Sequence, residues 1–376
     1  MRIKMKEFYY NILVNKDDLA DRREDIENIS KLLKSGKKIA LYAPRRYGKS
    51  SLAKNILPDE IKKKNFVALY FDFMGVQSID DVCVRLSYGI SQGLSQYLPA
   101  KNFFEGLKKT FKNMAFSIEP DTLTGEISFS IATKEGKTPA LLSLLKSMVQ
   151  IAETYPCLFL FDEFQDIHFS KDILGQMRSE LQKLKNTPMV FLGSKRQLLS
   201  QIFQSNHSAF FQFADEYVLK PIPAKEWEPF FEERLKPKKI KLTHDALVEL
   251  LRLSLDVPNT ICEIGSYIQG HFENQKIDQK DLLILIKELL ESKAEGFHYQ
   301  IQQLTESERK VLAALAINGW TKEIQSKKFQ AQTNMSLSGI KKVISKLYHL
   351  GIIEEDNLSY RVSNPLLGLF LQTHRR

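Results

Sequence analysis

The sequence predicts an α/β fold, a parallel sheet flanked by helices, continued by an all-helical segment and a C-terminal winged helix-turn-helix. Three observations carry this reading. A short apolar run, Lys38–Tyr42 (KIALY), passes through a tight loop ending Gly48-Lys49-Ser50 into a helical segment, Ser50–Ile56. A second run, Cys157–Phe161 (CLFLF), is apolar without alternation and stops at Asp162-Glu163. Such a run suits a strand buried on both faces of a parallel sheet. From Ala224 onward the apolar spacing is helical, until two short alternating segments near the end.

Strand, tight loop and helix joined by Gly-Lys-Ser is the context of a phosphate-binding loop, the P-loop of an ATP-hydrolysing NTPase. Successive backbone N–H groups curl round the phosphates, and the helix N-terminus adds the positive end of its dipole. The expected ATP-binding set is Ala43, Pro44, Arg45, Arg46, Tyr47, Gly48, Lys49, Ser50 and Ser51. Lys49 would reach the β- and γ-phosphates, and the Ser50 hydroxyl would ligate magnesium. The loop departs from the usual pattern in starting with Ala43 rather than glycine; Pro44 stiffens the turn instead.

The same chemistry needs carboxylates at the carboxyl edge of the sheet, where ligands of open α/β sheets bind. Asp162 would hold the magnesium, and Glu163 would polarise the water that attacks the γ-phosphate. Met189–Gly193 (MVFLG) reads as a strand lying between the two motif strands, so Ser194 at its end is the candidate γ-phosphate sensor. Arg196 and Arg178 are candidates for an arginine finger acting on a neighbouring subunit. Helix-start arginines are, however, usually solvated.

At 376 residues the chain exceeds one ordinary core, so two or three domains are expected. We expect a P-loop ATPase core over 1–223, a helical lid over 224–300 and the winged helix over 301–376. With 43% hydrophobic and 26% charged residues, the composition is that of soluble globular protein, and no apolar run is long enough to span a bilayer. The basic N-terminal stretch has no long apolar centre, so no signal peptide is expected. Cys83, Cys157 and Cys262 lack zinc or redox spacing, which excludes a structural metal cluster from the expectations and suggests a reducing, cytoplasmic setting. The net charge is +9, and residues 301–376 hold eleven basic against six acidic residues, +5 of that total. A basic module on a nearly balanced body points to a polyanion partner.

Along the chain, apolar residues Ile26, Ile29, Leu32 and Leu33 mark a first helix that Gly36 ends. Phe66–Phe73 is a second buried strand, with Asp72 facing either the site or a neighbouring backbone. Ile79–Leu98 reads as a helix. Ala115–Ala132 is expected to form a hairpin inserted in the core, serving equally well as a partner-contacting arm or a sheet extension. Leu141–Thr154 and Asp172–Lys185 are helices, and Glu216–Lys220 is a fifth strand. Trp227–Leu235, His244–Leu255, Asn259–Glu273 and Lys280–Ala294 would form a lid over the adenine or a purely structural bundle. Thr305 begins a capping box for the helix Arg309–Ala316. Lys322–Gln330 and Ser336–Leu350 are the next two helices, and Ile352–Val362 forms two strands about an Asp-Asn turn. Ile340, Val343, Ile344 and Leu347 make the buried stripe of the third helix. Ser338, Lys341, Lys342 and Lys346 point elsewhere, placed for phosphates or base edges of double-stranded DNA. Winged helices also contact proteins.

The segments APRRYGKSSL, LFLFDEFQDI, MVFLGS and ISKLYHLGIIEED…YRVSNPLLGLFL, with Arg22-Arg23-Glu24-Asp25-Ile26 upstream, resemble the archaeal-type ATPase family of the STAND and AAA+ P-loop NTPases. The resemblance covers nearly the whole chain. It implies a five-stranded core, a helical lid and a winged helix, an architecture shared with origin-recognition-type initiator ATPases. Two positions depart from the family: Ser50 stands for the commoner Thr. Asp256-Val257-Pro258 stands where the lid is Gly-rich before the proline that would touch adenine. The expected function is an ATP- and magnesium-dependent molecular switch coupled to DNA, with hydrolysis slow until a partner or second copy supplies a residue. The alternative is a signalling scaffold whose ATP drives oligomerisation and whose winged helix docks protein.

Overall fold

A computed structural model describes residues 6–62, 66–97, 116–120, 127–131 and 137–374. Its strands are, in chain order, β1 (Lys38–Tyr42), β2 (Val67–Asp72), β3 (Phe116–Pro120), β4 (Ile127–Ile131), β5 (Cys157–Asp162), β6 (Met189–Gly193) and β7 (Asp215–Val218). All but β3 and β4 join one parallel sheet in the order β2-β5-β6-β1-β7. The fold class expected from the sequence is the one observed, with β6 lying between the two motif strands. Register decides what this achieves. Tyr42 pairs with Gly193 and Phe161 with Phe191, so β1, β5 and β6 end level at one carboxyl edge.

Every residue of β5 and β6 is buried, which accounts for their unalternated apolar sequences. One face carries a phenylalanine cluster. Phe161 and Phe191 stack at 4.9 Å across adjacent strands, and Phe164 meets Phe191 edge-on at 4.7 Å. Each such ring removed from water stabilises the fold by about 1.5–3 kcal/mol. Strand β7 is the exposed edge and is short and acidic at its start, features that discourage pairing with another chain. The expected hairpin exists as the antiparallel pair β3–β4, Phe116 opposite Ile131. Its turn and the basic segment before it lie outside the described residues.

By compactness the chain divides into two units, Arg23–Ala43 with Lys49–Leu219, and Met1–Arg22, Pro44–Gly48 and Lys220–Arg376. The first holds the sheet. The second builds one continuous apolar core from helices Ala224–Leu235, His244–Leu253, Pro258–His271, Gln279–Ser292, Ala294–Gln302, Glu306–Asn318, Lys327–Thr333, Leu337–His349 and Pro365–Thr373. Strands β8 (Lys241–Leu242) and β9 (Lys276–Ile277) form a two-residue parallel ladder inside the segment read as purely helical. Two residues are too few to give a period. Strands β10 (Ile353–Asp356) and β11 (Ser359–Val362) form the wing. Its turn centres on Asn357 and Leu358, both with positive φ, one residue beyond the expected Asp-Asn. The middle winged-helix helix starts at Lys327 rather than Lys322, because Ser326 caps it by accepting the Phe329 N–H. The Thr305–Glu308 capping box is present as expected.

Arg361 counts in the sequence towards the basic surface, but it is 4% exposed. It lies opposite Glu354 across the wing, Nε to Oε1 at 2.5 Å, and its guanidinium stacks on Trp320 at 4.4 Å. Its Nη1 also donates to the Leu255 carbonyl at 3.2 Å. Leu255 and Asp256 both have left-handed backbones, φ 51° and 56°, a conformation that favours glycine. Arg361 thereby pins a turn that these side chains strain. Arg361→Met removes the guanidinium that pairs with the buried Glu354, so it is expected to lower unfolding free energy by about 3–5 kcal/mol. Urea denaturation checks this, and adding Glu354→Gln should restore part of the loss.

Candidate nucleotide site

The level ends of β1, β5 and β6 determine which side chains can meet. Ala43 continues β1, its N–H bonded to the Gly193 carbonyl at 3.3 Å. The chain then turns through Arg46 and Gly48, at φ 67° and 82°, and enters a helical run over 49–61 that contains a π-helical turn at Leu52–Ile56. Gly48 occupies backbone that side chains rarely adopt. This is the sharply turned strand-to-helix junction that a phosphate cradle requires.

Within the sheet unit, residues far apart in sequence converge. Ser50 Oγ donates to Asp162 Oδ2 at 2.6 Å. Asp162 is 3% exposed, and among the described residues its hydrogen-bond donors are the hydroxyls of Ser50 and Tyr70 and the Glu163 N–H, all neutral. A buried carboxylate held only by neutral donors is favourably placed to be balanced by a cation. Together with the Ser50 hydroxyl it forms a hard-oxygen pair of the kind magnesium takes, so these residues fit the metal. Lys49, 6% exposed, has its Nζ 3.7 Å from Glu163 Oε1. Ser194 Oγ donates to Glu163 Oε2 at 2.7 Å. Glu163 itself has a left-handed backbone, φ 48°, at the junction of β5 with a 3-10 turn. For a glutamate that is strain, and strain of this kind gathers at functional sites.

Other candidates are placed differently. Asp72 Oδ1 accepts the Met74 N–H at 2.9 Å, so of the two orientations left open it faces neighbouring backbone. Arg178 stacks on Phe213 at 4.3 Å and donates to Gln182, while Arg196 lies 3.7 Å from Glu216. In the other unit, Asn259 N–H donates to the Arg46 carbonyl at 3.3 Å and Arg45 reaches the Gly351 carbonyl at 3.5 Å. Pro258 opens the helix there. Burial, opposed by Arg361, raises the Tyr47 phenol pKa and keeps it protonated.

On the winged-helix helix Leu337–His349, Ile340, Ile344 and Leu347 are buried and Ser338, Lys341 and Lys342 are exposed. Lys346 Nζ instead pairs with the buried Glu308 at 2.6 Å. Ser338 Oγ lies 3.2 Å from that of the N-cap Ser336.

Sequence reasoning passed over two residues. Tyr70 donates to Asp162 Oδ2 at 2.6 Å, and burial together with the Asp162 charge pushes its phenol pKa up, so it remains a donor. Gln165 follows the acidic pair and bonds to Glu163. Neither stands out in an apolar strand or a short turn.

The fold is that of a P-loop ATPase with a C-terminal winged helix. A family model described as "Probable winged helix domain" matches residues 295–373. The Walker-type ATPase PABY2304 of Pyrococcus abyssi superposes with TM-score 0.66 at 17% identity, over 97% of this chain and 99% of that one. The Aeropyrum pernix ORC2 protein, in its ADPNP-ADP complexes, gives 0.52 at 11% identity over 98% of each chain. The ORC1 protein of the same organism, in complex with DNA, gives 0.51 at 12% identity over 95% and 93%. At these identities the likeness is one of fold. No curated protein matches the sequence. No described helix is long and apolar enough to cross a membrane.

Proposed function

We propose that the chain is an ATP-hydrolysing switch. The observation that carries this reading is the meeting of Ser50 Oγ with Asp162 Oδ2 at 2.6 Å, beside a Lys49 that faces Glu163. Lys49 binds β- and γ-phosphate oxygens as a point charge, and the backbone N–H groups of residues 43–51 bind the rest. Ser50 and Asp162 would hold magnesium. ATP with its magnesium supplies the electrophilic phosphorus and the leaving group. Glu163 accepts a proton from the attacking water, and Ser194 orients its carboxylate. Residues 1–223 form the ATPase core in this reading, 224–300 the helical lid, and 301–376 the DNA-facing winged helix. A second copy or a protein partner accelerates hydrolysis in trans, the role for which Arg178 and Arg196 are candidates.

Exposed Lys341 and Lys342 on the outer face of the third helix support duplex DNA as the partner, and the DNA-bound ORC1 neighbour makes the same partner reasonable here. The test is ATP turnover and duplex binding by the full chain at two salt concentrations, beside a Lys341→Gln/Lys342→Gln variant. Turnover is expected, and the variant should bind DNA several-fold more weakly with a salt slope smaller by about 2. Unchanged DNA binding by a variant that melts normally would instead favour a protein partner for this face.

A further inference from the structure

Gln165 is 1% exposed, an amide buried beside the phenylalanine cluster. Its Nε2 donates to Glu163 Oε2 and, at 3.3 Å, to Asp166 Oδ1. Its carbonyl oxygen has no hydrogen-bond partner among the described residues. That oxygen lies against Gly193, where an added Cβ would approach it to 2.5 Å. The amide orientation follows from these neighbours, since the reverse would press a carbonyl against two carboxylates. A buried acceptor left unsatisfied costs about 1–3 kcal/mol. An apolar side chain of the same shape would avoid that cost, so packing does not explain the choice of glutamine.

We propose that Gln165 is a positioning residue for Glu163. With Ser194 it donates to Oε2, which sets Oε1 on the side of Lys49, 3.7 Å from its Nζ, as the oxygen that takes the proton. Two donors from different elements, the end of β6 and the turn after β5, fix the rotation of the carboxylate about its last bond. Losing one of the two loosens that hold on Oε2. Gly193 keeps room for this arrangement by having no side chain. The inference rests on Glu163 being the water-activating group.

The experiment measures kcat, KM and equilibrium ATP affinity per folded molecule for the parent, Gln165→Met, Gly193→Ala and Glu163→Gln. Gln165→Met matches the shape of glutamine without its donor and should lower kcat about 10- to 100-fold, the loss expected when a reacting group is misplaced by about 1 Å. ATP affinity should be retained, and the melting temperature should be no lower than the parent's, because the unsatisfied carbonyl is also removed. Gly193→Ala, which displaces the Gln165 amide from the other side, should lower kcat in the same way. If Gln165→Met turns over ATP at the parental rate per bound nucleotide, or loses affinity in step with kcat, Gln165 is not a positioning residue. Should that variant fail to fold, Gly193→Ala decides by the same criterion. Parental turnover by Glu163→Gln would instead remove the water-activating role from Glu163, the premise of the inference, a separate result.

Discussion

Glu163→Gln is expected to bind ATP and fail to hydrolyse it, with kcat reduced about 10²- to 10⁴-fold, the range for loss of a general base. The substitution preserves shape. Placed with its oxygen where Oε2 now lies, the new amide still accepts from Ser194 and Gln165. Its NH2 then takes the position of Oε1, 3.7 Å from Lys49 Nζ, and repels the ammonium instead of attracting it. Lys49 is thereby freed for phosphate oxygens, so affinity should be kept or improved. What disappears is the capacity to accept a proton. Single-turnover phosphate release, measured with the stoichiometry of bound nucleotide, separates the two effects.

The largest expected effect on binding belongs to Lys49→Ala. Lys49 is almost fully buried and is the ammonium beside the acidic end of β5. A hydrogen bond to a charged group contributes up to about 3 kcal/mol, so its loss should raise the ATP dissociation constant roughly 100-fold. The same change removes the cation beside Glu163, which adds carboxylate repulsion against the incoming phosphates. At micromolar protein this reads as loss of binding.

The sheet and the meeting of its motifs were legible because each rests on short-range pattern. An unalternated run such as CLFLF suits a strand buried on both faces, and Gly-Lys-Ser after KIALY admits few backbones. Parallel order then brought Ser50, the Asp162-Glu163 pair and Ser194 together from three distant parts of the sequence. What stayed hidden depends on tertiary surroundings. A tyrosine within FVALYFDF gives no hint that its hydroxyl will bond Asp162. Arg361 reads as a surface cation until Glu354 is found opposite it on the wing. Left-handed Leu255 and Asp256 break the local rule that reserves such backbone for glycine, and only the Arg361 bond to the Leu255 carbonyl shows how the turn is held. Lys346 belongs by spacing with Lys341 and Lys342, yet Glu308, one helix away, takes it. The two-residue ladder of β8 and β9 is too short to leave any period.

The central claim is that Lys49, Ser50, Asp162 and Glu163 surround one magnesium-bound triphosphate. It is tested most directly by calorimetric titration of ATP, with and without magnesium, into the parent protein and into Lys49→Ala. The account predicts one site per chain in the parent, tighter with magnesium present, and no measurable binding by a Lys49→Ala protein that melts like the parent. Equal, magnesium-indifferent affinity in the two proteins would contradict it.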